Sequence, residues 1–232
     1  GVAVTARLRA VSAQSFEAKL VSSRSDLNIE PSTVSFMVLE EGEWVSASGA
    51  KMLAGHRSSS RLSRRGWESV SFNPLRQNAV ALTQVQTNNE GGWLTTRVRR
   101  QSRSSFQVAM QEVEATNRGQ HAEESIGWIV IEPGDHDLGD ARLISATTPR
   151  AFTHQPVQLS YGEGFESRTT VIGKLGSSHG GDSSNLSMTE VDGGGFVGIV
   201  AEERSRDQEL RHISERVSLV ALSHTAGVFM TE

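Results

Sequence analysis

Short stretches of alternating apolar and polar residues recur along this chain. Residues 4–9 alternate in this way, and the residues that follow Phe16 and Phe106 do the same. Such alternation is typical of a strand with one buried and one solvated face. The stretches Val34–Leu39 and Ile126–Ile131 are apolar on both faces, as expected of central strands packed between layers. Because glycine- and asparagine-rich turns separate these stretches, the pattern predicts an all-β fold of antiparallel β-sandwich modules.

The pattern repeats with a period of about 90 residues. Phe16, Phe106 and Phe196 each begin an apolar alternation at this interval, and Arg7 precedes the first as Arg97 precedes the second. A fixed period is the sequence signature of a repeat protein. We therefore predict tandem β-sandwich repeats of about 90 residues.

The period divides the chain into three parts. Residues 1–50 form the C-terminal half of a first repeat, residues 51–140 a second repeat and residues 141–232 a third. We predict that the half module, Gly1 to about Gly42, recruits a strand from outside itself, because open sheet edges pair readily. The chain begins without an initiator methionine or an apolar leader, so we expect a processed chain or a fragment.

Composition limits the classes of protein to which this chain can belong. Its 232 residues carry a net charge of −4 and include no cysteine. A weakly acidic chain lacks the basic surface that nucleic-acid binding needs, and a chain without cysteine has neither disulfides nor cysteine-ligated zinc. No stretch is apolar over the roughly 18 residues of a transmembrane helix. We therefore expect no nucleic-acid partner, no membrane span and no cofactor.

Two segments resemble the H-type lectin family, the six-stranded sandwich of discoidin and snail agglutinins. They run from Arg7 to Ala18 and from Arg97 to Val108, and both have the order Arg-x-Arg, turn, Phe-x-apolar. That family binds galactose-type sugars at clefts between three subunits, so the resemblance implies lectin-like sandwiches and three repeats that imitate a trimer. The third repeat departs from the pattern, with Ser187 where the second has Arg97. For the third repeat, the resemblance therefore implies no sugar site built on arginine.

Candidate ligand-binding residues lie on and beside the arginine-bearing strand. Arg97 and Arg99 offer donors to sugar hydroxyls or to a carboxylate on a partner. The alternative is that both form the solvated face of a strand. Trp93 follows two glycines and offers a stacking surface for a sugar, whereas Trp128 lies in an apolar stretch and is expected in the core.

A His-x-x-Glu motif occurs at equivalent places in the second and third repeats, as His121 with Glu124 and His212 with Glu215. These residue types suit proton transfer or metal ligation. Residues three apart in an extended chain face opposite sides, so each pair converges only in a bend. The alternative is a clamp in which each histidine donates a hydrogen bond within its own repeat. Ligands would instead face a common cleft or ion.

The sequence favours binding over catalysis. It contains no nucleophile elbow, zinc-protease motif, phosphate-binding loop or dinucleotide-binding glycine motif. Repetition multiplies binding surface, whereas catalysis needs one set of converging groups. We therefore expect no enzyme but an interaction or scaffold protein, a structural or accessory subunit of an assembly that is secreted or lies in an organelle lumen. Its expected partners are other protein chains. The alternative is a carbohydrate-binding lectin or adhesin whose partners are glycans.

Overall fold

A computed structural model describes residues 2–24, 26–27, 29, 34–139, 141–162, 165 and 169–223 of the chain. All regular secondary structure in these residues is β, with sixteen strands arranged in five antiparallel sheets. The predicted all-β antiparallel fold is therefore confirmed.

The first repeat contributes a two-stranded hairpin. Strands β1 (Val4–Arg9) and β2 (Glu17–Ser22) pair in register, with Ala6 opposite Leu20. The side chains of Thr5 and Arg7, on one face, are buried, whereas Phe16 and Leu20 are only half-buried. The face of the hairpin that carries Phe16 and Leu20, which the alternation predicts to be buried, is thus more exposed than the polar face.

The second repeat is a sandwich of two sheets. One sheet has the order β3-β4-β9-β6 and the other the order β5-β8-β7. Between them lies a core that includes Phe106, Met110 and Ile126, each at most 1% exposed. The seven strands are β3 (Gly42–Val45), β4 (Lys51–Ser59), β5 (Glu68–Ser71), β6 (Val80–Val85), β7 (Leu94–Arg99), β8 (Ser105–Glu112) and β9 (Glu124–Ile131).

The third repeat has the same topology. Its sheets have the orders β10-β11-β16-β13 and β12-β15-β14, and its core contains Phe196 stacked against Phe152. The seven strands are β10 (Gly134–Asp137), β11 (Arg142–Thr147), β12 (Val157–Ser160), β13 (Thr170–Leu175), β14 (Ser184–Thr189), β15 (Gly195–Glu202) and β16 (Val217–Leu222). The predicted boundaries at 50/51 and 140/141 lie between β3 and β4 and between β10 and β11. Because β3 pairs with β4 and β10 with β11, residues 42–45 and 134–137, which precede the predicted boundaries, belong to the sheets of the second and third repeats.

The prediction of a central strand at Val34–Leu39 is wrong. These residues are in no strand, and Phe36 and Val38 are 63% and 72% exposed. In the second repeat the corresponding stretch, Ile126–Ile131, lies in β9 and pairs with β4 on one side and β6 on the other. Among the described residues, the first repeat has no equivalents of β4 and β6. An apolar stretch without flanking strands has no backbone partners to make it a strand.

The three repeats meet around a common cavity of about 520 Å³. The equivalent strands β1, β7 and β14 contribute Thr5, Thr95 and Asn185 to its lining. Side chains also bridge the repeats there, since the Asn185 amide donates to the carbonyl of Val4 and Lys174 Nζ donates to the Thr95 hydroxyl at 3.3 Å. The strand face that carries the arginines therefore points towards the neighbouring repeat.

Candidate functional site at the repeat junctions

An arginine of the second repeat is inserted into the third. Arg97 projects from β7 and is 0% exposed. Its Nη2 donates to Glu215 Oε1 at 2.7 Å and to the Ser177 carbonyl at 2.8 Å, and its Nη1 donates to the Ser184 hydroxyl at 2.8 Å. A guanidinium suits such a site because its fixed fork of donors can serve several oxygens at once. We call this group, which consists of Arg97, Glu215, Ser177 and Ser184, the second clasp.

Glu215 is ionised and fully hydrogen-bonded in the second clasp. Its Oε1 accepts backbone N–H donors from His179 and Gly180 at 2.8 and 3.0 Å, and its Oε2 accepts the Ser177 hydroxyl. Burial opposes ionisation, but the hydrogen bond from His212 and the charge of Arg97 together hold the pKa of the Glu215 carboxyl well below its ordinary value. A buried carboxylate with this many donors meets the condition under which buried ion pairs are tolerated.

The same arrangement joins the first repeat to the second. Arg7 projects from β1, is 3% exposed and pairs with Glu124 Oε1 through its Nη2 at 3.1 Å. Its Nη1 donates to the Gly92 carbonyl at 3.0 Å. Glu124 in turn accepts the hydroxyl of Thr87 and the backbone N–H of Asn89 at 3.0 Å. We call this group the first clasp.

The second clasp contradicts the alternative that Arg97 lies on a solvated strand face, because Arg97 is 0% exposed. In the first and second repeats the strand face that carries the arginine is covered by the next repeat, so Arg7 and Arg97 are the most enclosed residues of their strands rather than the most exposed. A sequence signal for this contact exists. The arginine occurs in the first and second repeats, whereas the glutamate, Glu124 or Glu215, occurs in the second and third. An offset of one repeat is what a contact between consecutive repeats requires.

The two motif histidines lie behind the clasps and are buried. His212 Nδ1 contacts Glu202 Oε1 at 2.6 Å, and its Nε2 contacts Glu215 Oε1 at 3.3 Å. His121 Nδ1 instead contacts Glu90 Oε2 at 2.8 Å, and its Nε2 lies 4.0 Å from Glu124 Oε1. Each histidine thus contacts carboxylates of its own repeat. In the third repeat the net effect of these contacts is a raised pKa of His212, although burial opposes it.

The other predicted ligand-binding residues are placed differently from one another. Trp93 is 4% exposed and packs with Ala3 and Ala201 at the junction of the three repeats. Arg99 lies at the edge of the sandwich, where its guanidinium carbon is 4.2 Å from the centroid of the Trp67 ring and its Nε donates to Gln107 Oε1 at 2.9 Å. Arg99 is therefore nearer to solvent than Arg97 or Trp93. A ligand-binding role for these residues stays a prediction.

Comparison with known proteins gives one similarity. The chain is 26% identical to halomucin of Haloquadratum walsbyi (strain DSM 16790 / HBSQ001) over 229 residues, which cover 96% of this chain and 2% of halomucin. No protein-family model and no solved structure matches the chain. No helix in the described part of the chain is long and apolar enough to cross a membrane. The chain is thus similar to a short part of a much longer protein.

Proposed function

We propose that this chain is a non-catalytic interaction or scaffold protein, built of lectin-like β-sandwich repeats that are clasped in series. It would serve as a structural or accessory subunit of an assembly outside the cytoplasm. The observation that carries the proposal is the repeated clasp, Arg7 with Glu124 and Arg97 with Glu215. A device that occurs twice, each time between consecutive repeats, fixes how one repeat sits on the next.

The clasps support a structural role for the groups that resemble catalytic ones. Glu215 and His212 have the composition of an acid–base pair, but both are at most 5% exposed and hydrogen-bonded to each other and to their own loop. A general base must reach the proton it abstracts from a substrate. Groups enclosed between two repeats serve packing and register instead.

The hairpin of the first repeat has an apolar face that the described residues leave largely uncovered. Phe16 is half-buried although its equivalent Phe106 is 1% exposed, and Phe36 and Val38 are largely exposed. In the second repeat, β4 and β6 and the sheet they belong to cover the equivalent positions. We assign the uncovered face one occupant, the front strands of another repeat of this type. Strand addition to such a face satisfies backbone groups and buries apolar area together.

Similarity to halomucin, an extracellular protein, supports a location outside the cytoplasm. The absence of cysteine agrees with any compartment and adds nothing to this assignment. The expected partners are other protein chains or other repeats of the same kind.

A carbohydrate-binding lectin is the second candidate. It is supported by the convergence of three equivalent strands on one cavity, which resembles the three-subunit arrangement implied by the H-type lectin resemblance. Of the predicted sugar-binding residues, Arg99 beside Trp67 is the one nearest to solvent. A glycan array therefore separates the two functions: saturable binding favours the lectin, and its absence favours the scaffold. Loss of that binding in Arg99→Ala would assign the sugar to the surface beside Trp67 rather than to the cavity, whose lining does not include Arg99.

Adding front strands ahead of Gly1 tests whether another repeat of this type covers this face. Since residue 91 is equivalent to residue 1, a copy of residues 42–90 placed ahead of Gly1 supplies the front strands in register. We expect amide hydrogen exchange in residues 34–39 to slow to the level of β9, because this stretch then lies between two strands. An extension of the same composition in scrambled order is the control. Unchanged exchange in residues 34–39 would contradict the assignment of this face as a docking surface.

A further inference from the structure

A histidine and two glutamates meet beside the first clasp. His121 Nδ1 lies 2.8 Å from Glu90 Oε2 and 3.6 Å from Glu112 Oε1. One ligand atom from each residue lies within 4.8 Å of the others. The His121 side chain is 1% exposed, that of Glu112 is 11% exposed and that of Glu90 is 48% exposed. The group therefore lies at the surface end of a buried junction, with an open side towards Glu90.

The equivalent group in the third repeat contains one carboxylate fewer. There, Glu202 takes the place of Glu112 and contacts His212 Nδ1 at 2.6 Å. Gly180 takes the place of Glu90, and a Cβ at that position would lie 2.6 Å from His212 Nε2. The third repeat thus has room for one imidazole and one carboxylate, whereas the second has room for a further carboxylate.

The extra carboxylate leaves Glu112 without a donor. The Nδ1 atom of His121 has a single N–H to give, and Glu90 Oε2 is the oxygen within hydrogen-bond distance of it. Among the described residues no hydrogen bond to the Glu112 carboxylate is found; its side chain is 11% exposed, and the His121 imidazole, with Nδ1 3.6 Å away, is its nearest cationic group. A carboxylate largely removed from water is stabilised by a counter-charge. The group of His121, Glu90 and Glu112 therefore has one negative charge more than the equivalent group in the third repeat, and a cation would neutralise it.

We propose that His121 Nδ1, Glu90 and Glu112 bind a divalent cation of the zinc class. One imidazole nitrogen and two carboxylate oxygens are ligands that Zn²⁺ accepts, with water in the remaining position. Bond lengths of about 2.0–2.2 Å place tetrahedral ligand atoms roughly 3.3–3.5 Å apart. The observed 2.8 and 3.6 Å lie on either side of that spacing, so small side-chain movements bring the atoms to it.

Charge and tautomer agree with this assignment. Three carboxylates, Glu90, Glu112 and Glu124, surround His121 and Arg7. A neutral His121 with a divalent cation balances them, whereas a protonated His121 leaves one negative charge in excess. Metal binding at Nδ1 displaces the proton there: an imidazolium releases its Nδ1 proton to solvent, whereas a neutral ring protonated on Nδ1 loses that proton and takes one from solvent at Nε2. The Nε2–H then faces Glu124 Oε1, which lies 4.0 Å away and outside hydrogen-bond distance; closing this gap would give the arrangement by which a carboxylate orients a metal-bound histidine.

The cation would strengthen the first clasp. The backbone carbonyl of Glu90 accepts a hydrogen bond from Arg7 Nη2 at 3.2 Å, so the loop that supplies a metal ligand also holds the arginine of the first repeat. Fixing the Glu90 side chain restrains this loop. The second clasp lacks such a site, because Gly180 has no side chain to contribute.

Zinc titration of the full chain, after dialysis against a chelator, tests this assignment. We expect one Zn²⁺ per chain by calorimetry and a higher thermal midpoint with zinc present. Glu90→Gly, which reproduces the third repeat, and Glu112→Gln should each weaken binding at least tenfold. Glu123→Gln, at an exposed neighbouring carboxylate, is the matched control and should bind as the unmodified chain does.

Two results would overturn the assignment. One is the absence of stoichiometric zinc binding by the unmodified chain. The other is binding that Glu90→Gly and Glu112→Gln leave unchanged, which would place the ion elsewhere, for example at His212. The metal-free thermal midpoint of each variant shows whether it is folded. Because Glu90 is half-exposed, Glu90→Gly is expected to fold even if Glu112→Gln does not.

Discussion

Arg97 of the second repeat and Glu215 of the third form a fully buried ion pair, with 2.7 Å between Nη2 and Oε1 and both side chains 0% exposed. Arg7 and Glu124 form the equivalent pair one repeat earlier, at 3.1 Å. Removing two charges from water is costly, and the cost is offset only when the remaining donors and acceptors are also paired. Separating consecutive repeats would break all of these contacts together, so the pairs fix the register of one repeat on the next.

The first clasp is expected to hold the hairpin of the first repeat in place. Arg7→Met keeps the apolar stem but removes the donors to Glu124 and to the loop carbonyls. Amide exchange across β1 and β2 should then accelerate at least tenfold, because local opening no longer breaks a buried ion pair. Exchange in β8 and β15 should be unchanged. The measurement is hydrogen exchange by mass spectrometry, with Arg9→Met as the control at an exposed arginine of the same strand. Equal exchange in both variants would show that Arg7 does not secure the hairpin.

Gly180 is expected to be required for the second clasp. A Cβ at this position would lie 2.6 Å from His212 Nε2, so Gly180→Ala must displace the imidazole that contacts Glu215. We expect a loss of about 1–3 kcal/mol in the free energy of unfolding, as for other overpacked sites. Gly91→Ala is the control, since nothing lies within 4 Å of a Cβ there, and it should change stability by less than about 0.5 kcal/mol. Urea denaturation measures both, and equal stabilities for the two variants would refute the packing argument.

We expect the stability of the folded chain to depend on pH through His212. Its pKa is raised in the folded chain, where the hydrogen bonds from the ring to Glu202 and Glu215 outweigh the opposing effect of burial. The stability this contributes is fully present below the unfolded value of about 6.5 and is lost as the pH rises through the folded pKa. His212→Gln should therefore reduce the fall in thermal midpoint between pH 6 and pH 9. His179→Gln, at an exposed histidine of the neighbouring loop, should retain the full dependence; a common profile would exclude His212 as its source.

At Glu114 we expect a substitution that removes a charge to stabilise the chain. Burial and the carboxylates of Asp182, Asp207 and Glu203 raise its pKa from 4.5 to about 7. The contribution of the Glu114 carboxyl to the stability of the folded chain is present below pH 4.5 and is lost as the pH rises through 7. Glu114→Gln should thus raise the thermal midpoint at pH 8 and leave it almost unchanged at pH 4. A midpoint at pH 8 equal to or below that of the unmodified chain would contradict the prediction.

Local alternation was enough to predict the all-β fold, because it depends on which residues are apolar within a few positions of one another. The stretch Ile126–Ile131 is a central strand as predicted. The equally apolar stretch Val34–Leu39 is not, since strand formation also needs neighbours that local sequence does not specify. Pattern alone therefore identifies strand-forming segments without identifying their partners.

For a related reason, the clasps could not be predicted from the local alternation of apolar and polar residues. Alternation assigns Arg97 to the polar face of its strand, and that assignment is right. What covers the polar face is set by the packing of the next repeat, through residues such as Ser177 and Glu215 that lie far along the chain. The offset of arginines and glutamates by one repeat was the available signal, and it is visible only when repeats are compared with their successors.

A double-mutant cycle on Arg97 and Glu215 tests the clasp most directly. Arg97→Met leaves a buried carboxylate without its counter-charge and should cost about 3–5 kcal/mol. Glu215→Gln should also destabilise the chain, and the double variant should be more stable than the sum of the two losses predicts, by about 1–3 kcal/mol. Arg211→Met, at an exposed arginine, is the control and should be near neutral.

The measurement is the free energy of unfolding in urea for the unmodified chain and the three variants. We expect a coupling energy above about 1 kcal/mol, together with a loss for Arg97→Met far larger than for Arg211→Met. Additive losses, within about 0.5 kcal/mol, or an Arg97→Met variant as stable as Arg211→Met, would contradict the claim that this pair locks the second and third repeats together.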